Sequence, residues 1–355
     1  MKIYKFNSKR AYNRLASLLK AAMAFLMLAP LTACNDSFIY DDEEKCDYQF
    51  FVRFVFDMNM SYADAFPAKV NSVKLFVFDP VSGDLIKTYT DSGDALQEEG
   101  YRMKVDLDPG KYDFIAWCGL ENNKDHFTLP ESISHREHAH CRMARDYDEN
   151  GRAVQRDWLT PLFHGRTEAD FPDDFKEHEA VVHLIKDTNN INISMQHVGG
   201  QPLTRDMFTV SMTEGNGHMA FDNALLKDEE VDFYPWTITD GNVDISGSRA
   251  DGDTPLNYFK AELSTSRLMA DRNPRINITD NATGKVVYSI PIIEWALEFR
   301  SEKYSDMDKQ EYLDREDQYN VMLYLDNKDE KGWIAAEIYI NGWRVVHHDD
   351  TVMGH

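Results

Sequence analysis

Val73-Lys74-Leu75-Phe76-Val77-Phe78-Asp79, then Pro80-Val81-Ser82-Gly83-Asp84, then Leu85-Ile86-Lys87-Thr88-Tyr89-Thr90: two runs rich in β-branched and aromatic residues flank a cluster of turn formers. Such side chains suit a pleated, half-buried surface, so the stretch reads as a β-hairpin. Upstream, Tyr48-Gln49-Phe50-Phe51-Val52-Arg53-Phe54-Val55-Phe56 has the same chemistry. Downstream, Arg102-Met103-Lys104-Val105-Asp106-Leu107 alternates strictly, Asp108-Pro109-Gly110 turns it, and Lys111 to Trp117 is the following strand. No 3.6-residue periodicity interrupts this region. Residues 121–180 are polar and charge-rich, and are expected to hold long loops and at most a short helix.

A second set of strands begins near Asn190. It runs through 191–198, 208–212, 258–263 and 275–280, a turn at Asn281-Ala282-Thr283-Gly284, then 285–292, 319–325 and 333–340. Asn341-Gly342 is a two-residue hairpin signal, with 343–348 as its return. Short strands at regular spacing, with Gly, Pro, Asn and Asp between them, make the chain all-β, in two tandem β-sandwiches. The expected domains are 48–185 and 186–355. The one helical stretch expected lies near 302–316, as a short surface helix or an extended loop.

The amino terminus is of another kind. Lys2, Lys5, Lys9, Arg10, Arg14 and Lys20 precede an apolar run from Ala21 to Leu31, with no acidic residue among them. That order is the order of a secretory signal, and the run falls short of the roughly 20 apolar residues a membrane span needs. It ends Leu31-Thr32-Ala33-Cys34, which resembles the lipobox of bacterial lipoproteins. The expectation is a signal peptide over 1–33, a lipid on Cys34, and a tether over 34–47. The acidic run Asp41-Asp42-Glu43-Glu44 in that tether would be repelled by an anionic membrane surface.

Loss of the six basic residues of the signal would take the formal net charge from −23 to −29. Such a charge argues against nucleic acid or anionic lipid as a partner. Besides Cys34, Cys46, Cys118 and Cys141 remain, and three thiols allow one bridge in three ways. Cys46 and Cys118 are singled out as the possible disulfide because both lie near strands of the first domain.

Several constellations admit two readings. His135, His138, His140 and Cys141 crowd together, and His347-His348 lie near the end. Imidazole and thiolate suit zinc or copper, but Arg136 and Arg142 add positive charge and no second motif frames the set, so a polar loop is expected and no metal. Asp314, Glu316 and Asp317 lack calcium-loop spacing and are expected to be solvated or capping. Trp117, Trp236, Trp295, Trp333 and Trp343 are a sugar platform or, as expected for strand residues, core and interface. No phosphate loop or nucleophile elbow occurs. No cofactor and no catalytic residues are expected.

The order of these motifs is familiar. A lipobox and an aspartate-rich leader precede Val73 to Asp79. Asp108-Pro109-Gly110-Lys111-Tyr112 then leads to Ala116-Trp117-Cys118-Gly119, and Tyr312 to Tyr319 and Ile338-Tyr339-Ile340-Asn341-Gly342-Trp343 follow. Together they resemble the FimB-like fimbrial anchoring subunits of Bacteroidales type V pili. The resemblance spans nearly all of the chain after the signal. It implies two transthyretin-like β-sandwich domains and no enzyme activity. It implies a lipid-anchored outer-membrane subunit at the base of a fimbrium that holds the filament and limits its length. Its partners would be fimbrial stalk subunits, joined by β-strand addition, and the membrane through Cys34. Between Cys34 and the first strand there is Lys45 but no arginine, in keeping with a leader that an arginine-directed protease leaves uncut. After Val346 nine polar-rich residues follow, with no long donor strand expected. A rival reading is a surface glycan-binding lipoprotein of a nutrient-uptake system. A hydrophobic groove along a sheet edge would favour the anchor; a flat row of exposed Trp and Tyr would favour the rival.

Overall fold

The computed structural model describes residues 48–120, 126–243, 256–327 and 332–345. The signal, Cys34, Cys46 and His347-His348 lie outside these residues. The expected all-β architecture holds. In the first part run β1 (Gln49–Val55), β2 (Ser72–Phe78), β3 (Leu85–Ser92), β4 (Arg102–Val105) and β5 (Gly110–Cys118). The short strands β6 (Phe127–Thr128), β7 (Cys141–Met143), β8 (Asp146–Tyr147) and β9 (Ala153–Gln155) follow, then β10 (Phe163–Phe171), β11 (Glu177–His183) and β12 (Ile185–Lys186).

Two sheets enclose the first core, one ordered β11-β1-β4 and the other β12-β10-β5-β2-β3. Phe50, Val52 and Phe54, alternate residues of β1, face Leu75, Val77 and Phe114 across it. The opening hairpin pairs as its sequence predicts, with Leu75 opposite Tyr89 and a bulge at Val77/Phe78. Strands β2 and β5 are buried on both faces. Leu75, Val77, Phe114 and Ala116 enter the first core, whereas Phe76, Phe78, Ile115 and Trp117 enter a second. Double burial explains why these strands read as nearly unbroken apolar runs.

The second core is built by β13 (Thr188–His197), β14 (Phe208–Glu214), β15 (His218–Met219), β16 (Val231–Phe233), β17 (Thr237–Val243), β18 (Leu256–Ser266), β19 (Arg275–Asp280), β20 (Lys285–Pro291), β21 (Gln318–Asp326), β22 (Ile334–Ile340) and β23 (Trp343–Val345). One sheet is ordered β17-β18-β13-β21-β22-β23 and the other β20-β19-β14-β16-β9-β8. Ile191, Ile193, Val321 and Leu323 point inward; the residues between them face out. Asn341 and Gly342 both take positive φ, +46° and +84°, as the tight β22–β23 turn requires.

Three expectations need revision. The polar run 121–180 is not mostly loop. It holds the long strands β10 and β11, and β9 crosses to pair in parallel with β16 in the second core's sheet, Ala153 opposite Val231. Strand β10, Phe-His-Gly-Arg-Thr-Glu-Ala-Asp-Phe, looks polar because Arg166, Glu168 and Asp170 occupy its outward positions. In the stretch 302–316 a 3-10 turn at Glu302–Tyr304 precedes α3 (Lys309–Arg315), which Asp308 caps by accepting from the Gln310 and Glu311 amides and which buries Tyr312, Leu313 and Asp314 instead of lying wholly on the surface. Besides a single turn α1 (Phe66–Lys69), a helix α2 (Ile292–Glu298) follows Pro291, where the sequence shows only the end of a strand.

Candidate functional site

Two places stand out: the start of the first sandwich at Tyr48, and the β20–β22 side of the second. At the entry, the Tyr48 ring stacks between Phe50, at 5.2 Å, and Phe175, at 4.9 Å, and its hydroxyl donates to Asp173 at 2.6 Å. That carboxylate pushes the Tyr48 hydroxyl up to about 12. Phe175 is exposed and takes a φ of +55°, a conformation a bulky residue rarely adopts. The end of the sandwich at Tyr48 is thus fixed by a ladder of rings that continues inward to Phe171, 4.4 Å from Phe50.

On the second sandwich, β20 closes one edge of its sheet and lies in contact with β22 of the other sheet. The described residues of β23 pair with Ile338 to Ile340 of β22. Among the described residues, no strand pairs with Ile334 to Glu337 on the side away from β21. Ile334, at one end of β22, and Trp343, opposite Ile340 at the other, are each just over half exposed, and Val286 of β20 is exposed likewise. An edge with unmatched backbone groups and apolar flanks is a template for an added strand. The opposite case is β3, whose edge is bulged and carries Lys87 paired with Asp106 at 2.7 Å, both features that discourage pairing.

The other sequence-marked residues fall in several places. His135 is held by its surroundings: its Nδ1 accepts from the Glu137 amide, so its Nε2 donates to the Ser82 carbonyl at 3.0 Å. His140 meets His218 at 3.0 Å, and burial lowers the proton affinity of both. Cys141 and Cys118 are buried, which pushes both thiols up. Among the described residues, no three His, Cys, Asp or Glu side chains gather as metal ligands. Cys118 ends β5 opposite Phe163, whereas Tyr48 stands at the Phe171 end of the same sandwich. The expected partner of Cys118, Cys46, lies outside the described residues. Trp117 is core, Trp295 and Trp333 are half-buried, and Trp236, just before β17, and Trp343, on β23, are exposed at opposite edges of one sheet.

The carboxylates differ from expectation. Asp314 is buried, not solvated: Arg267 donates to both its oxygens, at 2.8 and 2.7 Å, and Gln310 adds a third bond. Glu316 is pushed up by burial, and Asp317 pairs with Lys186. Two further buried acids escaped the sequence reading. Asp113 accepts a bidentate pair of bonds from Arg166 and another from Arg136. Asp187 accepts from the Asn223 amide beside Arg267. An aspartate inside the apolar run Tyr112 to Trp117 was the available signal for Asp113.

The comparisons with known proteins agree with this picture. The profile of the fimbrillin-A associated anchor proteins Mfa1 and Mfa2 matches residues 43–349, and the chain belongs to that family. The minor fimbrium anchoring subunit Mfa2 of Porphyromonas gingivalis is 19% identical over 346 residues, covering 95% of this chain and 98% of the relative. The solved fimbrial anchor protein Mfa2 from the same organism superposes with a TM-score of 0.63 at 15% identity, over 85% of this chain and all of that one. A candidate adhesin from Bacteroides thetaiotaomicron gives a TM-score of 0.73 at 31% identity, over 86% of this chain and 99% of that one.

Proposed function

We propose that this Mfa2-type anchor subunit is tethered to the outer membrane by a lipid on Cys34, after removal of residues 1–33, and holds a fimbrium at its base. The family match over 43–349 carries the reading. No helix among the described residues is long and apolar enough to cross a membrane, so attachment by a lipid fits the amino-terminal sequence. The role is structural, with no catalytic step. The stalk joins by strand addition, and the open β20–β22 side is the acceptor: main-chain bonds give affinity, and Ile334 and Trp343 set the register. Occupying that side once ends growth at the base and so limits filament length. The two parts are read as 48–185 and 186–355, with residues 127–162 as an arm of the first that packs into the core of the second.

A deletion strain tests anchoring. Filaments shed into the medium are the expected result, and normally attached filaments refute it. Cys34→Ala should move the protein out of the membrane fraction; retention there refutes the lipid anchor. Peptide mapping without reduction decides whether Cys46 and Cys118 are joined.

A further inference from the structure

We propose that the outward face of the β17–β23 sheet binds an uncharged oligosaccharide. This does not rest on the anchoring role. Strand register sets the face out in rows. Ser194, Met322 and Tyr339 lie side by side across β13, β21 and β22, with Lys260 beyond Ser194 on β18. One row away Asn192 stands beside Asn320, and its amide donates to Asn320 Oδ1 at 3.0 Å, which orients both amides. On the other side Tyr324 follows Gln196, its ring 6.1 Å from Tyr339 and nearly perpendicular to it. Between them lies a hollow of about 350 Å³, within the range of small-ligand sites.

Charge selects the ligand class. The chain carries a formal net charge of −23, yet the charges beside the hollow are paired, Lys260 with Glu262 and Arg344 with Glu337 at 3.1 Å, with Asp326 farther along β21. A charged ligand would have to break one of these pairs. None of the residues lining the hollow belongs to the exposed large apolar side chains, so the hollow lacks the apolar centre of a protein–protein contact. What it offers is amides, hydroxyls and tyrosine rings set by a rigid sheet. That is the chemistry a pyranose needs, with C–H patches against an aromatic face and hydroxyls bonded to amides.

The full chain lacking only residues 1–33, with Cys34→Ser, would be screened on an array of neutral gluco-, manno-, galacto- and xylo-oligosaccharides beside sialylated and sulfated ones. Bacterial-surface and host-type chains on separate arms tell the source. The expected result is binding of at least one neutral oligosaccharide at about millimolar Kd or better, weakened at least about tenfold by the double variant Tyr324→Ala/Tyr339→Ala. Asn192→Ala/Asn320→Ala should weaken it similarly, and serves if the tyrosine variant melts early. No neutral binding, binding indifferent to both folded variants, or preference for acidic chains overturns the proposal.

Discussion

The β2–β5 sheet and the β13–β21 sheet are both central to their sandwiches, but they meet their surroundings differently. The first is a wall between two cores: Leu75 and Val77 face one, Phe76 and Trp117 the other. The second is a wall between a core and water, with Ile191 and Ile193 inside and Asn192 and Ser194 outside. The contrast teaches that attachment between the two parts of this molecule is made by a sheet face, whose outward residues are as apolar as its inward ones. It also locates where chemistry can be displayed, because only the second sheet has a face left over.

Substitutions at matched positions can break or sharpen that contrast. Trp117→Ala is expected to have the largest effect, about 5 kcal/mol, since it leaves a cavity in the second core and removes the indole bond to the Ala139 carbonyl at 3.0 Å. Urea unfolding measures it, and a loss under about 1 kcal/mol would mean the wall is not shared. Next comes Asp314→Ala, expected to cost about 3–4 kcal/mol because the Arg267 guanidinium is left buried without its carboxylate. Equal stability of variant and parent in the same assay would show that the ion pair is dispensable.

A smaller effect depends on pH. Burial pushes the Asp187 carboxyl up to about 7, with Arg267 and the Asn223 amide partly opposing it. The folded chain holds this proton where the unfolded chain, with the ordinary carboxylate value near 3.8, has released it. The group's contribution to stability therefore falls as pH rises from about 4 to about 7. Asp187→Asn should flatten that part of the stability profile, and an unchanged slope between those pH values counts against it. The smallest effect belongs to the free face. Met322→Ala should change stability by less than about 0.5 kcal/mol, as at most surface sites, and a thermal melt shifted by many degrees would show that this face is covered.

How much of this was legible depended on where each strand gets its partners. The β2–β3 hairpin, the Asp108-Pro109-Gly110 turn and the Asn341-Gly342 turn are local, so their residues announce them. Strands β10 and β11 were not legible, because outward Arg166, Glu168 and Asp170 mask the inward Phe163 and Phe171. Strand β9 has three residues and a parallel partner nearly 80 positions away, and no local pattern encodes such a pairing. Helix α2 is hidden by following a strand whose last residue, Pro291, also serves as its cap. Asp314 looked solvated because its partner, Arg267, is brought to it only by the fold. Ile334 and Trp343 were half visible: both residues were read as strand, but their exposure is set by neighbours the fold brings to them and not by local pattern.

The arm formed by β8 and β9 has a consequence for biogenesis. A polypeptide emerging amino terminus first presents Asp146 to Gln155 well before Val231 to Phe233 exist to receive them. Until then the earlier half carries a strand without a sheet and, on β5, a tryptophan without a pocket. The time needed to make those later residues is a window of stickiness, when holding by a chaperone matters most. A chain stopped after residue 185 is therefore expected to aggregate rather than wait as a finished half, and its solubility on expression is a direct measure of that window.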